Sequence, residues 1–199
     1  EIVASKDPGA RLQAARFKDD VFRQWSGPAV HLAAERDRLR GLTWRHFTAR
    51  RMSPTIGAEI QGLDLRTDLG DDVVAELAQA LADYKVLFFR DQPVTPQQHL
   101  AFARRFGDLE IHPFIPPNPE HPELVHFEKS AEVAGYENSW HNDVTWREVP
   151  SKAAVLHAIH IPDVGGDTLF SDSCAAYDAL DDETKARVDQ LDAEHDYMR

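Results

Sequence analysis

Cys174 is the only cysteine in this chain of 199 residues. No intrachain disulfide can form, and a thiolate-rich zinc or iron–sulfur site is excluded. A reducing, cytoplasmic compartment is therefore expected. Long apolar runs are missing as well: nothing approaches the ~20 residues that span a bilayer. The opening EIVASKDPGARLQ lacks the basic-then-apolar order of a secretory signal. Basic residues are in deficit, 22 against 34 acidic, for a formal net charge of -12. That balance argues against nucleic acid or an anionic membrane as the main partner, since both require a dense basic surface. No GxSxG, P-loop or dinucleotide fingerprint occurs, and there is no internal repeat or low-complexity tract.

What is present suffices for a folded domain. Hydrophobic residues make up 42% and aromatic residues 9%, enough to bury a core and to set aside global disorder. The first fifty or so residues differ from the rest. They carry eleven of the basic residues but few apolar ones, and ARLQAARFKDDVFRQW is only loosely periodic at Leu12, Ala15, Phe17 and Val21. Residues 1–52 read as a helical N-terminal extension, with an oligomer contact or a lid as the sharper alternative.

From Ile56 the pattern tightens. IGAEIQGLDL alternates Ile56, Ala58 and Ile60 with polar residues and closes on Gly62, as a short strand and turn would. DDVVAELAQALADY sets Val73, Val74, Leu77, Ala78, Leu81 and Tyr84 on one helical stripe, with acidic residues at its start. KVLFFR, residues 85–90, is a continuous apolar run typical of a buried strand. Thr95-Pro96 caps a further helix that stops at Gly107. IHPFIPPNPEHPE, with five prolines, begins a long loop over 112–138. Strands are expected again at SWHNDVTW, AAVLHAIHI (153–161) and TLFS (168–171), with a turn at VGGD between the last two. Helices are expected from DSCAAYDAL and over DDETKARVDQL (181–191). The class is α+β with a predominantly antiparallel sheet.

The stretch SWHNDVTW holds the most suggestive chemistry. In a strand, residues i and i+2 project from one face, with Cα atoms about 6–7 Å apart. His141 and Asp143 then reach one small cation. Imidazole plus carboxylate is the donor set of non-haem Fe(II) sites, where two histidines and one carboxylate leave three positions open. A His-x-Asp pair by itself is common and is more often polar decoration than a ligand pair. Trp140 and Trp146 flank it, either as core residues or as walls that exclude water from a metal. Asp172 and Asp178, near a helix start, read as caps and not as acid–base groups. Cys174 reads as a small buried residue. His157 and His160 face opposite sides of their strand, and His99, His121 and His126 read as solvated or hydrogen-bonded.

The order IGAEIQGLDL, KVLFFRDQPVTPQQHLAFARRFGDLEIHP, WHNDVTW, GGDTLF, AAYDAL and AEHD resembles the taurine dioxygenase family of Fe(II)- and 2-oxoglutarate-dependent oxygenases, over roughly residues 53–199. The resemblance implies a catalytic domain there, built as a double-stranded β-helix, a jelly-roll core with flanking helices. It implies His141 and Asp143 as the first two Fe(II) ligands, and Thr168 as the hydroxyl that bonds a carboxylate of 2-oxoglutarate. Gly165 and Gly166 form the turn before that threonine. His112 is implied as the residue that contacts the substrate's anionic group. Asp143 further implies hydroxylation, since halogenating relatives lack that carboxylate. The partners implied are a small organic substrate and O2, and a homo-oligomer is expected.

Two departures bear on the substrate. Ile115 stands where taurine users place an aromatic residue, and GYENS replaces their asparagine-rich stretch. Both point away from taurine and toward another sulfonate, a sulfate ester or a carboxylate. The family's second histidine, and an arginine about ten residues later that pairs with 2-oxoglutarate, are expected beyond Arg199. His195 matches a position the family does not use for iron. The chain is thus expected to be the N-terminal portion of a longer catalytic domain, its C-terminal part missing. A non-catalytic jelly-roll scaffold without a complete iron site is the alternative.

Overall fold

The computed structural model describes residues 30–128 and 140–195. The helix expected within ARLQAARFKDDVFRQW, the end of the 112–138 loop and the GYENS stretch lie outside the described residues. A single 3-10 turn, Val30–Leu32, leads into α1, Ala33–Arg40. Strand β1 is Thr48–Arg51, β2 is Ala58–Gln61, and helix α2 spans Asp71–Tyr84. Strand β3 is Leu87–Phe89, α3 is Pro96–Arg104, α4 is Ser173–Asp178 and α5 is Asp182–Val188.

The three strands form one sheet in the order β1-β2-β3. β1 pairs antiparallel with β2, in register Thr48 to Gln61, and β2 pairs parallel with β3, Ala58 to Leu87. The sheet is therefore mixed, not predominantly antiparallel, because α2 returns the chain to the edge of β2 in a β-α-β crossover. β1 lies within the 1–52 segment read from sequence as an extension. Leu39 and Phe47 from that segment join Ala58, Ile60, Leu77, Ala80 and Tyr84 in the core cluster. A boundary at residue 52 thus runs through a hydrogen-bonded sheet and its core.

Helix α2 buries Val74, Leu77, Ala80, Asp83 and Tyr84. Its buried stripe is rotated from the expected one: Ala78 and Leu81 are half-buried, while Ala80 is fully covered. Arg38 of α1 explains how Asp83 is buried with them, since its guanidinium donates to Asp83 Oδ1 at 2.8 Å. Lys85 ends α2 in the left-handed region at φ 67, its N–H donating to Leu81 O at 2.7 Å. β2 is covered on both faces. Ala58 and Ile60 face the core, and Glu59 lies between Arg50, at 2.7 Å, and Arg90.

The capping box of α3 is formed in full. Thr95 accepts from the Gln98 backbone N–H while the Gln98 side chain accepts from the Thr95 N–H, and Pro96 opens the helix. Gly107, at φ 151, follows the last turn.

Three expected strands are not formed. Residues 140–146, 153–161 and 168–171 carry no strand among the described residues, so no closed jelly-roll is seen there. A strand needs a neighbour for its N–H and C=O groups, and the sheet of β1, β2 and β3 does not extend to these tracts. Every residue from 151 to 170 is exposed, including Leu156, Ile159, Ile161 and Val164. Cys174 is exposed too, not buried, because α4 buries no residue. No helix of the described residues is long and apolar enough to cross a membrane.

Candidate metal centre

His141 and Asp143 do come together, but a turn brings them and not strand alternation. Asp143–Trp146 form the turn, with Arg147 N–H donating to Val144 O at 3.2 Å. Val144 sits at φ 56, a region a β-branched residue rarely adopts. His141 stands just before this turn, and its Nε2 lies 3.3 Å from Asp143 Oδ1. Two donors about 2.1 Å from one cation at right angles are about 3 Å apart, so the spacing fits two adjacent ligand positions. Both side chains are well exposed. No third histidine, cysteine or carboxylate joins them to make a metal-holding group among the described residues. The donor chemistry therefore fits a divalent iron through two of its three expected protein ligands.

A cavity of about 610 Å³ opens beside the pair, lined by Trp140, His141, Asn142, Thr145, Leu169, Phe170, Ser171, Ser173 and His195. Trp140 is exposed at this mouth and is no core residue. The segment 169–173 forms one wall and is fixed at two points, to β3 and to the end of α2. Phe170 meets Phe88 edge-to-face at 6.0 Å, and Lys85 Nζ lies 3.2 Å from Asp172 Oδ2. The same Asp172 caps α4 by accepting from Ala175 N–H at 3.1 Å, as expected. Asp178, by contrast, ends that helix, and its carbonyl accepts from Lys185 Nζ.

Thr168 is exposed and stands one residue before the cavity wall at Leu169. Gly165 and Gly166, at φ 80 and 73, turn the chain into that wall, a conformation that costs glycine nothing. His112 is not among the cavity residues. Its Nδ1 accepts from the backbone N–H groups of Phe114 and Ile115, at 3.3 and 3.0 Å. With Nδ1 an acceptor, the neutral ring carries its proton on Nε2. Phe114 in turn packs on Trp146 at 5.6 Å, so the His112 loop is tied to the turn that carries Asp143. Glu110 reinforces the link: it pairs with Arg147 and accepts from Ser151 Oγ at 2.8 Å.

Sequence reasoning gave His195 no part in the site. Its Nδ1 lies 2.8 Å from Thr145 Oγ1, fifty residues away, and it lines the cavity. No local signal announces a contact of that separation. Of the other histidines, His99 Nε2 lies 2.9 Å from Val155 O and His121 Nε2 3.1 Å from Gln97 Nε2, which agrees with reading them as hydrogen-bonded and not as ligands.

The chain has relatives among known proteins. The family model described as "Taurine catabolism dioxygenase TauD, TfdA family" matches residues 48–199, and the chain belongs to that family. It is 39% identical over 148 residues to the (S)-phenoxypropionate/alpha-ketoglutarate-dioxygenase of Sphingobium herbicidovorans, covering 72% of this chain and 51% of that protein. It is 36% identical over 152 residues to the alkylsulfatase of Acinetobacter baylyi, covering 73% and 46%. A taurine dioxygenase structure from Burkholderia xenovorans superposes with a TM-score of 0.63 at 33% identity, covering 73% of this chain and 52% of that one. The chain spans about half the length of the curated relatives it matches.

Proposed function

We propose that this chain carries the iron-ligand portion of an Fe(II)- and 2-oxoglutarate-dependent dioxygenase that hydroxylates a small anionic organic substrate. The observation that carries the reading is the 3.3 Å approach of His141 Nε2 to Asp143 Oδ1 beside an open cavity. Membership of a dioxygenase family supports it. When bound, Fe(II) would supply the activation of O2 coupled to the decarboxylation of 2-oxoglutarate. His141 and Asp143 would hold that ion on adjacent positions, with a further histidine completing the triangular face.

The protein's own groups have distinct tasks. The Thr168 hydroxyl donates to a carboxylate oxygen of 2-oxoglutarate. His112 presents Nε2–H, fixed in that form by the two backbone donors on Nδ1, to the anionic head of the substrate. Trp140 and Phe170 line the cavity with aromatic surface that limits water near the reacting carbon.

An alkyl sulfonate or sulfate ester is the proposed substrate. Hydroxylation of the carbon bearing the sulfur or ester oxygen gives an unstable adduct that collapses to an aldehyde plus sulfite or sulfate. The similarity to an alkylsulfatase favours it. The similarity to a phenoxypropionate dioxygenase favours a second reading, an aryloxy carboxylate that releases a phenol.

Anaerobic Fe(II) titration in the presence of 2-oxoglutarate tests the class. A weak visible charge-transfer band is expected, lost in His141→Ala. Its absence from the wild-type protein, or its persistence in His141→Ala, overturns the iron assignment and leaves the scaffold reading. Sulfite, sulfate and phenol release across a substrate panel then separates the two substrate readings.

A further inference from the structure

We propose that His195 is a positioning residue for the His141–Asp143 pair, holding the turn that aims the two ligands at one point. This rests on the iron reading above for what the pair binds, but not for the contact itself.

The turn is strained at Val144, a β-branched residue at φ 56. Such a conformation persists only where its surroundings over-determine it. From one side the 110–114 segment does so: Phe114 packs on Trp146 at 5.6 Å, and Glu110 pairs with Arg147. From the other side the contact is His195, whose Nδ1 meets Thr145 Oγ1 at 2.8 Å. Thr145 directly follows Val144, so this bond anchors the turn one residue beyond the strained position, and Asp143 stands one residue before it. His195 and His141 line the same cavity, which places the bond on the wall of the site and not behind it. Groups that orient ligands from outside the coordination sphere change metal affinity about 10–100-fold when removed.

The contact is made by Nδ1, which dictates the variants. An asparagine amide reproduces the position of Nδ1 and a glutamine amide that of Nε2. The test compares His195→Asn, His195→Gln, Thr145→Val and the double variant H195Q/T145V, each first shown to share the wild-type thermal midpoint. Two readouts are taken: amide hydrogen exchange at Arg147, whose N–H closes the turn onto Val144 O, in metal-free protein, and anaerobic Fe(II) affinity.

H195Q and T145V are expected to raise exchange at Arg147 several-fold and to weaken Fe(II) binding about 10–100-fold. The double variant should be no worse than either single one, and H195N should stay close to wild type. Unchanged exchange in H195Q and T145V overturns the proposal, as do additive losses in the double variant. So does altered exchange with unaltered affinity in a protein that binds iron. If wild type binds no Fe(II) while exchange follows the expected order, the turn-holding role stands and the iron reading falls.

Discussion

At Asp143 a single carboxylate separates the two ways of reading this site. With it, and with His141 Nε2 at 3.3 Å, a divalent cation would have two donors on adjacent positions. Asp143→Ala is expected to remove the Fe(II)–2-oxoglutarate band while leaving the thermal midpoint unmoved. The reason is that both side chains are exposed and surface substitutions seldom change stability. Leu77 gives the opposite result. It is fully buried at the centre of the core cluster, so Leu77→Ala should cost about 2–5 kcal/mol in a urea unfolding experiment. The proposed ligand pair was nameable from the sequence because two residue types at i and i+2 carry the chemistry. Its geometry was not. The strand expected there is a turn with Val144 in the left-handed region, and nothing in the eight letters SWHNDVTW signals that.

Among the elements, the locally specified ones came out as read. Helix α2 runs Asp71–Tyr84, the same fourteen residues as the periodic stretch. Helix α3 begins at the capping box that Thr95, Pro96 and Gln98 spell out. Thr95→Ala breaks that box and should destabilise the protein by about 0.5–2 kcal/mol, measured by chemical denaturation, with Thr95→Ser close to wild type. Helix α5 is capped in the same manner, Asp181 accepting from Thr184 N–H at 2.7 Å. Elements whose existence depends on a distant partner behaved differently. KVLFFR forms β3 only at Leu87–Phe89, where β2 lies alongside. AAVLHAIHI, with Val155, Ile159 and Ile161, was also expected as a strand but forms none among the described residues. Propensity places a tract on a pleated surface, and a neighbouring strand must supply the surface.

For the molecule as a whole, two features have measurable consequences. Arg38 ties α1 to α2: it donates to Glu35 at 2.7 Å and to Asp83 at 2.8 Å. Hydrogen bonding from Arg38 holds the Glu35 carboxyl below its ordinary value of 4.5. The Arg66 guanidinium and N–H beside Asp64 lower that carboxyl from 3.8 to about 2. A carboxyl lowered on folding contributes stability that is complete above its unfolded value and is lost as pH falls through the folded one. Thermal midpoints should therefore be level above about pH 5 and decline between about pH 4.5 and 2. Arg38→Gln should flatten the upper part of that decline.

The second feature is the apolar tract over 149–170, where Leu156, Ile159, Val164 and Leu169 are each more than two-thirds exposed. A patch of this kind binds apolar dyes. Anilinonaphthalene sulfonate fluorescence is expected to rise with this protein and to fall in the double variant Leu156→Ser/Ile159→Ser.

The sequence by itself determined what local rules encode. Those are the helices through apolar spacing and caps, the turns through Gly62 and Gly165-Gly166, the acidic and single-cysteine character, and the residue types of the proposed ligand pair. The tertiary structure decided what depends on contacts between distant residues. β1 joins the core sheet instead of standing outside it, Asp83 is buried because Arg38 reaches it, and His195 meets Thr145 across fifty positions. The physical reason is the range of each interaction. A cap or a periodic stripe is satisfied within a few residues, whereas a strand edge or a buried carboxylate needs a partner that only the folded chain brings near.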